Sequence, residues 1–349
     1  MKSVFVYLNQ RIPRYAVCNL KSFQERFPNR NVIYLSDLKS NIEIVSGLGI
    51  DCDLIQSPLD VWDELKRFDV ISSSFRKGFW FNTLARFHAI AQLSQKINNE
   101  SILQIECDVL ILNNFPFDQM DLINKEVAFP IINEFEAVPS IVYFKNKGAV
   151  ENLMNYFSSQ MISKLFKNDM IMLRDYSKRY KQRVEILPTN FSDRTGFQPW
   201  AKPILKKEMS NNFNKFSGIF DGATWGQFLS GEDPRNTIGI RRVFHEQKHH
   251  AVNPSNFKWI HFNEDNSIKI QPLDSIQTFP LYCLHIHSKD LKFFKLNFSE
   301  RIRLRIMSAS GGEKWEFMPL VGITNLRVSS IKSIFKALIN RIKTILRSL

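Results

Sequence analysis

The stretch ILQIECDVLIL, residues 102–112, holds two carboxylates, Glu106 and Asp108, inside a run that is otherwise almost wholly apolar. Such a run predicts a buried strand, and side chains two apart on a strand share a face. The two acids should therefore converge on one point, where leaving them unpaired would be costly. Mg²⁺ in proteins takes one or two carboxylates and completes its shell with phosphate oxygens and water, so the pair predicts a metal-bridged diphosphate site. The alternative is a turn between two short strands, in which the acids pair with basic side chains.

The surrounding segments predict an α/β fold. An apolar run at 4–8, a helix-length stretch to residue 27 and a second apolar run at 32–35 have the strand, helix, strand order of a parallel unit. A helical pattern over 78–96 leads directly into the acid-bearing run. In open sheets of this kind ligands bind beyond the carboxyl ends of the strands, where we expect the acid pair. With 349 residues and 44% hydrophobic content, the chain can bury a large core.

The net charge of +13 suits nucleic acid, an anionic membrane or an anionic small substrate. Residues 327–349 contain no acid, and their apolar residues recur at three- and four-residue spacing, which predicts a basic amphipathic helix. Such a helix can dock on an anionic membrane surface. The alternative is that its apolar stripe packs on the protein's own body or in a homodimer. Nucleic acid is disfavoured, because no helix-turn-helix, zinc-finger or aromatic RNA-binding signature accompanies the charge.

The four scattered cysteines form no CxxC pair, and the N-terminus has no apolar segment of signal-peptide length. No apolar run is long enough to span a bilayer. We therefore expect a cytoplasmic protein with reduced thiols, peripheral at the inner face of the membrane.

His285 and His287, in LYCLHIHSKDL (281–291), also lie two apart in a mostly apolar stretch. Both can face the same side of a strand, and either could complete a metal shell, while Lys289 could neutralise phosphate. The alternative is a pair of structural, hydrogen-bonded histidines.

Three further segments hold candidates for the reaction centre. In GIFDGATWGQFLSGEDPRN (218–236), Asp221, Trp225 and Gln227 could line a sugar pocket, unless the segment is a connecting loop followed by a short helix. Asp169 precedes an apolar run as a helix-capping residue does, with a place near the reaction centre as the alternative. Arg86, on the helix before the acid-bearing run, is either a salt-bridge partner or a phosphate ligand.

Taken in order, these pieces resemble the GT-A class of nucleotide-sugar glycosyltransferases, and in particular enzymes of bacterial surface-polysaccharide clusters. The matching elements are SVFVYLN (3–9), FWFNTLARF (79–87) with SILQIECDVLI (101–111), SIVYFKN (140–146), NDMIML (168–173), FDGATWGQFLSGEDPRN (220–236) and HIHSK (285–289). The resemblance implies a GT-A-like, Rossmann-type mixed sheet flanked by helices over residues 1–300. A connecting segment (301–326) and the C-terminal helix (327–349) would follow.

The resemblance also implies a function. A hexose would pass from a nucleoside diphosphate sugar, with a UDP-sugar favoured, to a saccharide or lipid-linked acceptor, with Mn²⁺ or Mg²⁺ as cofactor. The class motif is Asp-x-Asp, from which Glu106 departs while keeping its carboxylate, and the firmer metal contact carries over to Asp108. A histidine near the end of the catalytic domain often joins the metal, which points to His285 or His287. The donor site would then comprise Glu106, Asp108, Arg86 and Lys289, with Asp221, Asp169 and Gln227 as catalytic candidates. The remaining alternative is a non-catalytic peripheral membrane or polyanion-binding protein.

Overall fold

A computed structural model of the protein describes residues 1–56, 79–163, 165, 167–233, 240–243, 249–262, 267–294 and 314–317. The strands are β1 (Lys2–Val6), β2 (Val32–Ser36), β3 (Asp51–Leu54), β4 (Ile102–Ile105), β5 (Val109–Ile111), β6 (Val127–Pro130), β7 (Ile141–Phe144), β8 (Val184–Leu187), β9 (Ile240–Val243), β10 (Phe257–Phe262), β11 (Ser267–Pro272), β12 (Phe279–Leu281), β13 (Cys283–His285) and β14 (Lys314–Phe317). The helices are α1 (Arg14–Arg26), α2 (Lys39–Ser46), α3 (Phe79–Lys96), α4 (Phe117–Asp121), α5 (Lys147–Ile162), α6 (Asp169–Arg179), α7 (Pro203–Ser210), α8 (Phe213–Phe216) and α9 (Thr224–Ser230).

Seven strands form a mixed sheet in the order β3-β2-β1-β4-β7-β6-β8. β1 pairs in parallel with β2 and with β4, and β2 pairs in parallel with β3. β7 is antiparallel to both β4 and β6, so β6 runs in the same direction as β4. β8 is parallel to β6. The predicted α/β class with a mixed sheet is confirmed, as is the parallel β1–α1–β2 unit.

Helices cover both faces of this sheet. Val4 and Ile102 belong to one hydrophobic cluster with α3, whereas their neighbours Phe5 and Leu103 belong to a second cluster with α1. This alternation follows from the two-residue period of a strand. Because both faces are buried, the strands read as nearly continuous apolar runs.

The sheet has a topological switch point between β1 and β4. The chain passes from β1 to β2 and β3 on one side, and β4 lies on the other side. Ligands of open α/β sheets bind in the crevice outside the carboxyl ends of the strands at such a point. β4 ends at Ile105, immediately before Glu106. The fold therefore places the acid pair at this crevice.

Smaller sheets complete the described structure. β10, β11 and β12 form a three-stranded sheet, β5 pairs with β13, and β9 pairs with β14. All four cysteines are free thiols. Among the helices of the described ranges, none combines the length and apolar character needed to cross a membrane. The predicted helix over 327–349 lies outside the described residues, and the connecting segment 301–326 is described only at β14.

Candidate functional site

The acid pair lies in a turn rather than in a strand. The chain leaves β4 at Ile105, turns through residues 106–108 and enters β5 at Val109, whose N–H donates to the Glu106 carbonyl at 2.9 Å. The prediction of one continuous strand is therefore wrong, and the alternative of a turn between two short strands is what the structure has. The physical reason is that two carboxylates cannot remain inside a fully buried ladder without partners. At the edge of the sheet, the turn lets both side chains reach the crevice.

β5 leaves the main sheet and pairs with β13, which comes from far along the chain. His285 lies opposite Val109 in this antiparallel pair, and the Ile286 N–H donates to the Asp108 carbonyl at 2.8 Å. The pairing thus carries His285 to the acid turn. One oxygen of each carboxylate, Glu106 Oε2 and Asp108 Oδ1, is 3.4 Å from His285 Nε2. The three side chains offer ligand atoms within 4.8 Å of one another.

The imidazole of His285 is held in one orientation. Its Nδ1 is 2.9 Å from the Gly222 carbonyl oxygen. A carbonyl can only accept, so Nδ1 carries a proton and donates, and Nε2 faces the carboxylates. Such a second hydrogen bond fixes the tautomer of metal-binding histidines. Two carboxylates and one imidazole fit a divalent cation such as Mn²⁺, and three protein ligands leave the rest of its coordination shell open.

Lys289 supplies a positive charge beside these ligands. Its Nζ is 3.0 Å from Asp108 Oδ2 and 3.2 Å from Asp233 Oδ2. Burial raises the pKa of Asp108, but the charges of Lys289 and His285 outweigh it and hold the pKa well below its ordinary value. Lys289 also has a positive φ of 53°, which is uncommon for a residue with a side chain. Its predicted contact with phosphate stays a prediction.

Arg86 is buried on α3 and bridges two acids. One arm of its guanidinium contacts Glu106, and the other donates to Asp169 Oδ2 at 2.8 Å. Burial lowers the pKa of Arg86, but the two carboxylates outweigh it and raise the pKa above its ordinary value. Of the two roles expected for Arg86, the structure has the salt bridge. Arg86 therefore connects Asp169 to Glu106, a candidate metal ligand.

The capping role expected of Asp169 at the start of α6 is filled by its neighbour Asn168, so that prediction is wrong. Asn168 caps the helix, since its side chain accepts the Ile171 N–H at 2.9 Å. Asp169 is buried, and its carboxylate accepts from Arg86 and from the Met170 N–H. Capping therefore belongs to Asn168, and the catalytic role of Asp169 stays a prediction.

Asp221 is fully buried and ties α9 to β13. Its Oδ1 accepts the Trp225 N–H at 2.9 Å, and its Oδ2 accepts the N–H groups of Gly226 and His285 at 2.6 and 2.8 Å. Burial raises its pKa to about 6, against the lowering effect of the His285 N–H. Both oxygens are thus committed to backbone donors. These contacts give Asp221 a positioning role toward His285, and its predicted catalytic role stays a prediction.

Gly226 permits the close approach of α9 to β13. A Cβ built at this position would lie 2.6 Å from the backbone N and C of His285, and closer still to its O. A side chain cannot fit there without displacing the strand. The glycine of this segment therefore serves helix–strand packing against a candidate metal ligand.

Gln227 and His287 lie near the site but outside the group of three. Gln227 is buried on α9, one residue after Gly226. His287 follows β13 in a turn, with its ring centroid 4.3 Å from that of His285. Burial and the charges of His285 and Lys289 hold the pKa of His287 well below its ordinary value. The candidate ligand group in the described residues contains His285 rather than His287.

Sequence reasoning missed two supports of the site. Asp233, which is buried, pairs with Lys289, and the Ser140 carbonyl accepts the Glu106 N–H at 2.9 Å. Asp233 falls within the segment 218–236, where its acidic side chain beside Glu232 is a signal that sequence reasoning can use. A backbone carbonyl such as that of Ser140 leaves no signal in the sequence.

No protein-family model matches the sequence, and no curated protein sequence matches it. Among solved structures, the chain is similar to the galactosyltransferase LgtC in complex with donor and acceptor sugar analogues, with 16% identity and a TM-score of 0.39 over 55% of this chain and 75% of that chain. It is similar to the glycosyltransferase GlyE of Streptococcus pneumoniae, with 17% identity and a TM-score of 0.35 over 55% and 46% of the two chains. It is also similar to a cytidylyltransferase from Leptospira borgpetersenii, with 12% identity and a TM-score of 0.33 over 54% and 76%. Values this low assign the chain to no family.

Proposed function

We propose that this protein is a metal-dependent glycosyltransferase that transfers a hexose from a nucleoside diphosphate sugar. The observation that carries the proposal is the convergence of Glu106, Asp108 and His285 at the switch point of the sheet, with Lys289 beside them. Groups placed at this point meet the ligand of an open α/β sheet. The mixed sheet and the order of the motifs along the chain fit the GT-A class that the sequence resembles.

The three converging side chains would hold Mn²⁺ or Mg²⁺. A bound divalent cation supplies a Lewis acid that offsets the negative charge of the departing nucleoside diphosphate. Lys289, whose Nζ lies beside the Asp108 carboxylate, adds a second positive charge. A phosphate group of the donor would come within its reach. Arg86 holds the Glu106 carboxylate in place through its salt bridge. Each part therefore has a distinct task, and the ligands need little rearrangement to bind the ion.

The donor's nucleoside would lie along the carboxyl edge beside β1 and β2. Asp37 follows β2, and its Oδ1 accepts the N–H of Asn9, which follows β1, at 2.9 Å. A carboxylate at the end of the second strand is the group that binds ribose hydroxyls in dinucleotide-binding sheets. We favour a UDP-sugar as donor because of the resemblance to the GT-A class. The acceptor would be a saccharide or a lipid-linked saccharide in surface-polysaccharide synthesis.

The C-terminal segment 327–349 would bring the enzyme to its acceptor. Its sequence combines six basic residues with an apolar stripe and no acid. Apolar burial and Coulomb attraction would then act together at an anionic headgroup surface. We therefore propose that the protein works on the cytoplasmic side, peripheral at the inner face of the membrane.

Calorimetric titration of UDP into the full-length protein, with and without Mn²⁺, tests the proposal. We expect binding that requires the ion, and we expect Asp108→Ala to abolish both this binding and sugar transfer. Glu106→Ala should act in the same direction but more mildly, because Asp108 faces both His285 and Lys289. Nucleotide affinity that is absent, or that is unchanged by Mn²⁺ and by Asp108→Ala, would defeat the proposal. If binding to anionic vesicles persisted in that case, the non-catalytic membrane-binding alternative would replace it.

A further inference from the structure

A cavity of about 330 Å³ lies at the end of β6, outside the candidate metal site. Its apolar wall consists of Phe135, Trp200 and Leu205, and polar groups of Glu134 and Lys202 line it as well. Ligand pockets of this size combine an apolar or aromatic wall with a few polar groups that fix orientation. The cavity has this composition.

The cavity lies at the same edge of the sheet as the metal site. β6 runs in the direction of β4, so the loop 131–140 that follows β6 starts at the carboxyl edge. Asn133, near the start of this loop, lines the cavity, and Ser140, at its end, accepts the Glu106 N–H. A second cavity, of about 340 Å³, lies at the opposite edge, where β1 and β3 begin.

A short chain of contacts joins the cavity wall to His285. Ile132, next to Asn133, lies against Gly222, where an added Cβ would be 2.9 Å from Ile132 Cγ2. The Gly222 carbonyl is the group that holds the imidazole of His285. The cavity wall is therefore connected to His285, a candidate metal ligand, through Ile132 and Gly222.

The two aromatic side chains of the cavity are exposed, and hydrogen bonds hold the backbone beside each of them. Phe135 is 68% exposed and Trp200 is 45% exposed. Asn133 Oδ1 accepts the Phe135 N–H at 2.7 Å, and Asn133 Nδ2 donates to the His249 carbonyl at 3.1 Å. On the other side, the Ala201 N–H donates to the Gln198 carbonyl at 3.0 Å. A ligand that stacks on these rings therefore meets a backbone that is already ordered.

The charges around the cavity are of both signs: Glu134 and Lys202 line it, Lys178 Nζ lies 5.7 Å from the Phe135 ring centroid, and Glu136 Oε2 accepts from Asn133 Nδ2. Lys202 Nζ lies 2.8 Å from Glu134 Oε2, and both side chains are substantially exposed. In a chain of net charge +13, a rim without excess positive charge does not suit an anion. A neutral ligand with one apolar face and many hydroxyls suits it better. A pyranose ring has this chemistry, with C–H groups on one face and hydroxyls around it.

We propose that this cavity binds a sugar residue of the saccharide acceptor, with its ring face on Trp200 and Phe135. This assignment rests on the proposed function, since an acceptor must bind beside the donor. Glu134 and Lys202 would exchange hydrogen bonds with hydroxyls at the rim. The cavity would thus select the acceptor, while the metal site binds the donor.

Binding of the full-length protein to an array of neutral mono- and oligosaccharides tests this assignment. Trp200→Ala and Phe135→Ala should each weaken binding to the glycans that the wild type recognises by about tenfold. Ile204→Ala is the matched control, since Ile204 is 79% exposed on the neighbouring α7 and does not line the cavity. Circular dichroism checks that the exposed substitutions leave the fold intact.

Mn²⁺-dependent UDP affinity, measured on the same proteins, separates this assignment from the proposed function. Glycan binding that is lost in Trp200→Ala while UDP affinity is kept supports an acceptor site. Glycan binding that depends on Trp200 in a protein without UDP affinity would support the sugar site while the proposed function fails. A wild type that binds no glycan, or variants that bind as the control does, would overturn the assignment. A loss confined to lipid-vesicle binding would overturn it too.

Discussion

Gly226→Ala should weaken Mn²⁺ binding although it replaces no metal ligand. The added Cβ would lie 2.6 Å from the backbone N and C of His285, whereas ordinary van der Waals contact of a Cβ starts at 3.4 Å. β13 must therefore retreat by about 1 Å, and ligand distances in metal sites hold to within about 0.2 Å. Loss of a group that supports a metal ligand typically costs about 10- to 100-fold in metal affinity, or about 1.4–2.7 kcal/mol.

Electron paramagnetic resonance of free Mn²⁺ during titration of the full-length protein measures this affinity directly. Gly148→Ala is the matched control, because a Cβ there would meet only the Asn146 side chain, at an ordinary 3.4 Å, in helix α5. Asp221→Asn removes part of the same support by a different route, since one of the two oxygens that accept backbone N–H groups becomes an NH2 group, which cannot accept. We expect this variant to lose about 1–3 kcal/mol of stability together with Mn²⁺ affinity. A folded Gly226→Ala protein that binds Mn²⁺ as tightly as the control would refute the reasoning.

Three further results are expected. Without an ion, burial lowers the pKa of His285, but Asp108 and Glu106 outweigh it and raise the pKa to about 9. A metal must therefore displace a proton, so Mn²⁺ affinity in the same titration should rise by up to about tenfold per pH unit between pH 6 and 8. A flat profile would exclude His285 as a ligand. Gln104→Met should stabilise the fold by about 1 kcal/mol in urea unfolding, because the buried amide of Gln104 has no hydrogen-bond partner among the described residues; a destabilised variant would reveal an unseen partner. Deletion from residue 327 onward should release the protein from anionic vesicles in co-sedimentation and leave transfer to a soluble acceptor, whereas an aggregating truncation would assign the helix to the fold or to a dimer.

Local sequence patterns were enough to predict the first strands and helices of the sheet. β1, α1, β2 and α3 begin and end within a few residues of the predicted runs, because each buries a periodic apolar face. The acid pair was harder, since the apolar residues before and after it continue the strand pattern. Only the cost of burying two carboxylates distinguishes a turn from a strand there, and that cost depends on the partners available.

The arrangement around His285 could not be predicted from local patterns. Its position depends on the pairing of β13 with β5, whose residues are more than 170 positions apart in the chain. The role of Asp221 could not be predicted from local patterns either. Its sequence context is typical of a residue that contacts a ligand, but its carboxylate accepts backbone N–H groups. A buried carboxylate in a glycine-rich segment has two uses, ligand contact and backbone support, and the residue types are identical for both.

The balance of charge at the site explains why the acids tolerate burial and why the site suits a cation. Four carboxylates, those of Glu106, Asp108, Asp169 and Asp233, are linked to the fixed cations Arg86 and Lys289. Among these six described groups the two fixed cations offset two of the four negative charges and leave two, and the imidazole of His285 lies between the carboxylates of Glu106 and Asp108. A protonated His285 offsets only one of them. A divalent ion that takes the place of that proton would offset both, and the coordination positions that it leaves open would attract the anionic oxygens of a diphosphate.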